Sequence, residues 1–129
     1  MTVPKFRVWD TVKKAMNEVQ AIVYTDKKVY PIYSKVVRRY VPFSEAVLMQ
    51  STGLKDKEGT EIFEGDLVED EGGRRYVVKK NREFSAFFLY PCGNPEEFMA
   101  FYPGIILRVI GNIHENLHLL EGLSDGRQR

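Results

Sequence analysis

Several groups of residues have the types and spacing to do chemistry. His114-Glu115-Asn116-Leu117-His118 is a literal HExxH match. In zinc peptidases that spacing puts two imidazoles on one helical face as ligands, with the Glu as general base. The context contradicts it. His114 directly follows Val109-Ile110-Gly111-Asn112-Ile113, a β-branched pattern broken by a glycine, where no long helix can begin. The metzincin continuation needs Gly where Glu121 stands, plus a further His, and both histidines of the chain are already inside the motif. The expectation is therefore no catalytic residue, no metal and no cofactor.

The second group is aromatic. Phe84, Phe87, Phe88, Tyr90, Phe98, Phe101 and Tyr102 fall within 19 of the 129 residues. Aromatics interleaved with Lys and Arg on a small barrel can stack bases. They can equally form a core and a self-association surface. Both faces of the 84–90 run are apolar, which favours the second reading and makes Phe87, Phe88, Phe98 and Phe101 candidate interface residues. The third group is basic: Arg38-Arg39, Arg74-Arg75 and Lys79-Lys80, with Arg82 nearby. A stripe of this kind would contact phosphates. Adjacent strand residues point to opposite faces, however, so each pair contributes one charge per face. A solvated strand face is preferred, and nucleic-acid binding through these residues stands as the alternative. Glu69-Asp70-Glu71 reads as a solvated turn with no calcium-loop spacing, and Cys92 as an incidental thiol.

Composition sets the frame for these residues. A chain of this length supports one self-standing core. With 43% hydrophobic and 29% charged residues it reads as an ordinary soluble domain. One cysteine excludes a disulfide framework, and the absence of a long apolar run implies no membrane span and a cytoplasmic location. The net charge of +1 is unevenly placed. Residues 1–40 hold nine Lys and Arg against three acids, whereas residues 41–129 hold ten against fifteen. Internal or inter-subunit complementarity explains this more simply than a basic arm for nucleic acid.

The elements that must position these groups are almost all extended. Residues 5–9 read as a strand, and 11–17 as either a helical turn capped by Asp10 or a hairpin loop. Residues 20–24 and 28–33 alternate about Thr25-Asp26-Lys27 like a hairpin, with Pro31 suggesting an edge. A connector covers 34–43. Residues 48–54 form a strand, and Asp56-Lys57-Glu58-Gly59 a turn in which Asp caps amides and Gly accepts positive φ. Gly65-Asp66 then makes a corner before Leu67-Val68. Gly53, Asp56, Gly59, Gly65, Asp66, Gly111 and Asn112 are thus expected to be structural. Further strands are expected at 75–79, 84–90 and 105–113, with loops at 69–73 and 91–95, a helical turn at 116–121 and a frayed tail from 124.

The block MQSTGLKDKEGTEIFEGDLV at 49–68 is accompanied by Lys5-Phe6-Arg7-Val8-Trp9-Asp10 and by Val109-Ile110-Gly111-Asn112-Ile113. Together they resemble the YopX-like proteins of phages and prophages, in order and over residues 5–120. The resemblance implies a mainly β, SH3-like small barrel with an N-terminal β-rich extension, and it supplies no catalytic residues. The resulting expectation is one structural unit. Residues 1–45 would be an extension packed on the barrel, 46–120 the barrel with a short C-terminal helical turn, and 121–129 a flexible tail. The protein would be a phage or prophage-encoded, non-enzymatic binding or assembly protein in the bacterial cytoplasm. It would self-associate or contact an unknown phage or host protein, and nucleic acid is the alternative partner.

Overall fold

The computed structural model describes residues 3–32, 38–101 and 104–118. The chain divides into two compact units, residues 1–51 and 52–129. The fold is mainly β, in two antiparallel sheets with the strand orders β4-β3-β2-β1-β5-β6 and β10-β9-β8-β7-β11. Neither order returns to its starting strand, so the closed barrel expected from the sequence is not formed among the described residues. Strand β6 (Glu61–Phe63) pairs into the sheet of β5 (Ala46–Lys55), whereas β7 (Asp66–Asp70) belongs to the other sheet. The corner at Glu64-Gly65, with Gly65 at φ +89°, divides the 48–68 block between the two sheets.

In the first unit, β1 (Phe6–Asp10) lies between β2 (Ala15–Val23) and β5, with Trp9 opposite Met16 on one side and Val47 on the other. A strand flanked on both sides buries its apolar residues, and Val8 and Trp9 are 0% and 7% exposed. Asp10 ends β1 by accepting hydrogen bonds at Oδ1 from the amides of Val12 and Lys13, both at 3.0 Å. The 11–17 segment is therefore a hairpin turn followed by β2, and not the start of a helix. Strand β3 (Lys28–Pro31) continues the sheet, and the two-residue β4 (Val41–Pro42) pairs with its Lys28 and Val29. Pro31 thus does not mark an edge strand. It sits at the end of β3, past the β4 pairing, where the missing N–H costs no ladder bond. Residues 33–37, which include the start of the expected connector, lie outside the described residues, and Phe43–Glu45 form a 3₁₀ turn into β5.

In the second unit, β8 (Arg75–Asn81) pairs with β7 and with β9 (Ala86–Pro91). Strand β10 (Met99–Ala100) and strand β11 (Leu107–Asn112) form the two edges. One face of this sheet carries the core: Val68, Tyr76, Val78, Leu89 and Leu107, joined by Ile62 of β6. Each such side chain contributes about 1.5–3 kcal/mol on full burial. Period-two alternation places Leu67, Val77, Lys79, Phe88 and Tyr90 on the opposite face. Phe84 falls in the turn before β9 and not in the strand, and the expected helical turn begins at Leu117-His118 and passes out of the described residues.

The irregular joints of this unit are held by polar side chains that serve backbone amides. Asp56, 7% exposed, accepts at Oδ1 from the amides of Glu58 (2.9 Å) and Thr60 (2.8 Å). Its Oδ2 accepts from Val109 (2.9 Å) on β11, at the point where the β7–β11 register shifts. Asp66 Oδ2 accepts from the amide of Phe63 (2.8 Å) across the Gly65 corner. Asn112 Oδ1 accepts from the amides of His114 and Glu115, and the Asn116 side chain accepts from the amide of Asn112. A Cβ at Gly111 would stand 2.5 Å from that Asn116 oxygen, so no other residue fits there without moving the cap.

Burial alone would raise the Asp56 carboxyl, but the Val109, Thr60 and Glu58 amides outweigh it and hold it below the usual carboxylate range. A depressed folded value means stabilisation that is present above the unfolded carboxyl pKa and lost as pH falls through the folded one. Asp56→Ala should lower unfolding free energy at pH 7 by about 2–3 kcal/mol, because three amides lose their acceptor. Asp56→Asn keeps one acceptor oxygen and should cost less. Urea denaturation from pH 7 to 3 should show the gap between wild type and Asp56→Asn closing with acid.

Candidate functional site

The β8–β9 hairpin builds the most distinctive surface of the second unit. Its register sets Val77 opposite Tyr90, Lys79 opposite Phe88 and Asn81 opposite Ala86. Asn81 shapes the turn: its Oδ1 accepts from the amides of Glu83 (2.9 Å) and Phe84 (3.2 Å), and its Nδ2 donates to the Tyr90 hydroxyl (3.0 Å). Ser85 adopts φ +51° as the chain re-enters β9. This geometry presents Phe84, 60% exposed, beside Phe88 in a stacked pair with ring centroids 5.6 Å apart. Phe98 follows the 3₁₀ turn Pro95–Glu97 and is 40% exposed. Its ring lies 5.3 Å from Phe88 and 5.3 Å from Tyr90, stacked on the latter. Lys79 Nζ sits 5.7 Å from the Tyr90 ring centroid, within cation–π range. Four rings, each in contact with the next in the order Phe84, Phe88, Phe98, Tyr90, therefore run along the outer face with one ammonium beside them.

Of the four sequence-derived interface candidates, only Phe88 and Phe98 belong to this row. Phe87 and Phe101 pack against the buried core on the other face, and Phe101 donates its amide to the Phe87 carbonyl. Phe84 and Tyr90 complete the row and were not singled out as interface residues. Tyr90 shares strand parity with Phe88, which is the sequence signal that could have found it. Phe84 carries no such signal, since the Asn81 turn places it. Tyr102 lies outside the described residues.

Three of the six basic candidates, Arg38, Arg74 and Arg75, pair with carboxylates of the chain itself. Arg38 grips Asp10 through two hydrogen bonds of 2.8 Å, and its Nη2 also lies 2.7 Å from Glu45 Oε1. The Asp10 hydrogen bond pushes the Arg38 guanidinium well above its usual range. Burial would raise Asp10, but Arg38 and the two turn amides hold its carboxyl below the ordinary value. Arg74 pairs with Glu97 at 3.2 Å on the surface. Arg75 and Arg108 both bind Glu69, at 3.2 and 2.9 Å, and those hydrogen bonds, Arg108 first, lower its carboxyl. Lys80 Nζ lies 6.0 Å from the Phe87 ring. Arg39 and Lys79 are exposed.

The acidic turn is structural. Asp70 Oδ1 accepts from the amides of Gly72 and Arg74, and its Oδ2 accepts from the Tyr76 hydroxyl at 2.9 Å. Burial raises the Tyr76 hydroxyl, and the Asp70 bond raises it further. His114 and Glu115 lie in a turn, with Glu115 Oε1 accepting from Asn112 Nδ2 at 2.8 Å. Among the described residues no group of three or more His, Cys, Asp or Glu is arranged to hold a metal ion. The Cys92 thiol is half-buried, and burial pushes it up, with Arg75 opposing.

A family model described as YopX protein matches residues 5–121. No curated protein matches the chain. Among solved structures, the crystal structure of protein EF1440 from Enterococcus faecalis is similar at 31% identity and a TM-score of 0.60, over 93% of this chain and 99% of that one.

Arg38→Ala leaves the Asp10 carboxylate buried without its guanidinium, and should cost about 2–3 kcal/mol of stability. Arg39→Ala should change it by less than about 0.5 kcal/mol, as exposed positions do. Chemical denaturation of the two variants side by side separates a structural arginine from a surface one.

Proposed function

The chain belongs to the YopX protein family, and we propose that it is a non-enzymatic binding or assembly protein acting through protein–protein contacts. The observation that carries this reading is the contiguous ring row Phe84, Phe88, Phe98 and Tyr90 on the outer face of β8–β9. Exposed aromatic surface of this kind is costly to leave in water and is characteristic of interface anchors. The partner is a second copy of the chain. Nine basic residues against three acidic ones in 1–40, and ten against fifteen in 41–129, give two copies complementary charge to accompany the apolar contact.

A phage or prophage origin and a place in the bacterial cytoplasm belong to the same proposal. They are supported by the family resemblance and by the lack of any described helix long and apolar enough to cross a membrane. An SH3-like arrangement of residues 46–120 is likewise proposed, supported by the Asp56 turn and the Gly65-Asp66 corner. Nucleic-acid binding is the second reading. Lys79 beside stacked rings favours it, because bases stack on such surfaces. The carboxylates already held by Arg38, Arg74 and Arg75 weigh against it.

Light scattering over micromolar to hundred-micromolar protein should give a mass above that of one chain. Phe88→Ser with Phe98→Ser should return it to one chain while far-UV circular dichroism stays unchanged. A wild type that is monomeric throughout this range would remove the self-association reading. Fluorescence anisotropy with random single-stranded DNA and RNA should show only weak binding at physiological salt. Micromolar binding with a steep salt slope would move nucleic acid to first place.

A further inference from the structure

The same face of the second sheet holds a cleft of about 530 Å³ beside the ring row. Small-molecule sites typically span about 300–1,000 Å³, with mostly apolar linings and a few polar groups that fix orientation. The lining here follows that pattern. Val77 and Pro91 are buried beneath it, and Ile113 and the half-exposed Leu117 contribute further apolar surface. Tyr90 offers a ring. The lining contains one ammonium, that of Lys79, together with the His114 imidazole, and no described carboxylate. A cation would therefore find no counter-charge, whereas an anion gains an ion pair with Lys79 that a neutral ligand lacks.

We propose that this cleft binds a small apolar monoanion, a carboxylic acid with an aromatic or aliphatic body. The hydrocarbon lies against Val77, Pro91, Ile113 and Leu117, and the anionic head pairs with Lys79. The Lys79 ammonium is already held near the Tyr90 ring, at 5.7 Å from its centroid, so ordering it at the cleft costs less side-chain entropy. Phe84, Phe88 and Phe98 are not among its lining residues, whereas Tyr90 and Lys79 are shared with the ring row.

The test uses two fluorescent probes of similar body, the anionic 1-anilinonaphthalene-8-sulfonate and the neutral N-phenyl-1-naphthylamine, titrated into native protein at low micromolar concentration. The anion should bind saturably at one site per chain, and octanoate should displace it. Lys79→Gln should weaken the anion roughly 3- to 5-fold, the range of one partly exposed ion pair, and leave the neutral probe unchanged. Because Cys92 lines the cleft, saturating anion should also slow its reaction with a disulfide reagent. The Phe84→Ser variant, which removes a row ring stacked on Phe88 and not on the cleft-lining Tyr90, should bind the anion as wild type does. Loss of binding in that variant would place the probe on the ring row and overturn the cleft assignment. Non-saturating fluorescence, indifference to Lys79→Gln, or an unprotected Cys92 would overturn it as well.

Discussion

Asp56 accepts hydrogen bonds from three backbone amides, two in its own turn and one from Val109, far along the chain on β11. Much of the second unit depends on that arrangement. The register of β11 against β7 shifts between Val109 and Gly111, and such a shift interrupts the regular exchange of ladder bonds. A buried amide left without a partner there would cost about 1–3 kcal/mol. The carboxylate supplies the missing acceptor and fixes the turn to the edge strand in the same step. Asp66 at the Gly65 corner and Asn112 at the end of β11 apply the same principle at the next two joints. In this unit polar side chains hold the places where regular strand geometry stops.

How much of this was legible in the sequence follows from which forces are local. The Asp56–Gly59 turn, the Gly65-Asp66 corner and four of the five strands of the second sheet are written in residue type, because turn chemistry and period-two alternation act over a few positions, whereas the two-residue β10 carries no such pattern. The first hairpin was half legible. Asp10 suits either a helix start or a hairpin turn, and the pairing of β1 with both β2 and β5 decides between them. The expected closed barrel does not form among the described residues, because which sheet β6 joins is a tertiary matter that no local pattern records. Among the aromatics, parity could separate Phe88 and Tyr90 from Phe87. Phe84 could not be placed this way, since a turn and not a strand sets its direction.

The charged residues show a similar limit. Arg38-Arg39 reads as one basic feature, yet the two neighbours differ in kind. Arg38 is tied to Asp10 and Glu45, one of them 28 positions away and nearly buried, while Arg39 faces solvent. Arg75 and Arg108 converge on Glu69 from two different strands. A run of like charge in a β protein is thus a poor guide to surface potential. Strand alternation splits Lys79 from Lys80, and at Arg38-Arg39 and Arg74-Arg75 the fold brings carboxylates to one or both residues.

Trp9 is the chain's single tryptophan, and it sits nearly buried at the centre of the first unit on β1. Its indole emission therefore reports on the integrity of that strand, while far-UV dichroism averages over both sheets. The two optical signals sample different parts of one polypeptide, with no label to add. Coincident melting curves would mean that residues 1–51 and 52–129 lose their structure as one cooperative system. Separated curves would give each unit its own stability, and a single unfolding free energy would no longer describe the chain.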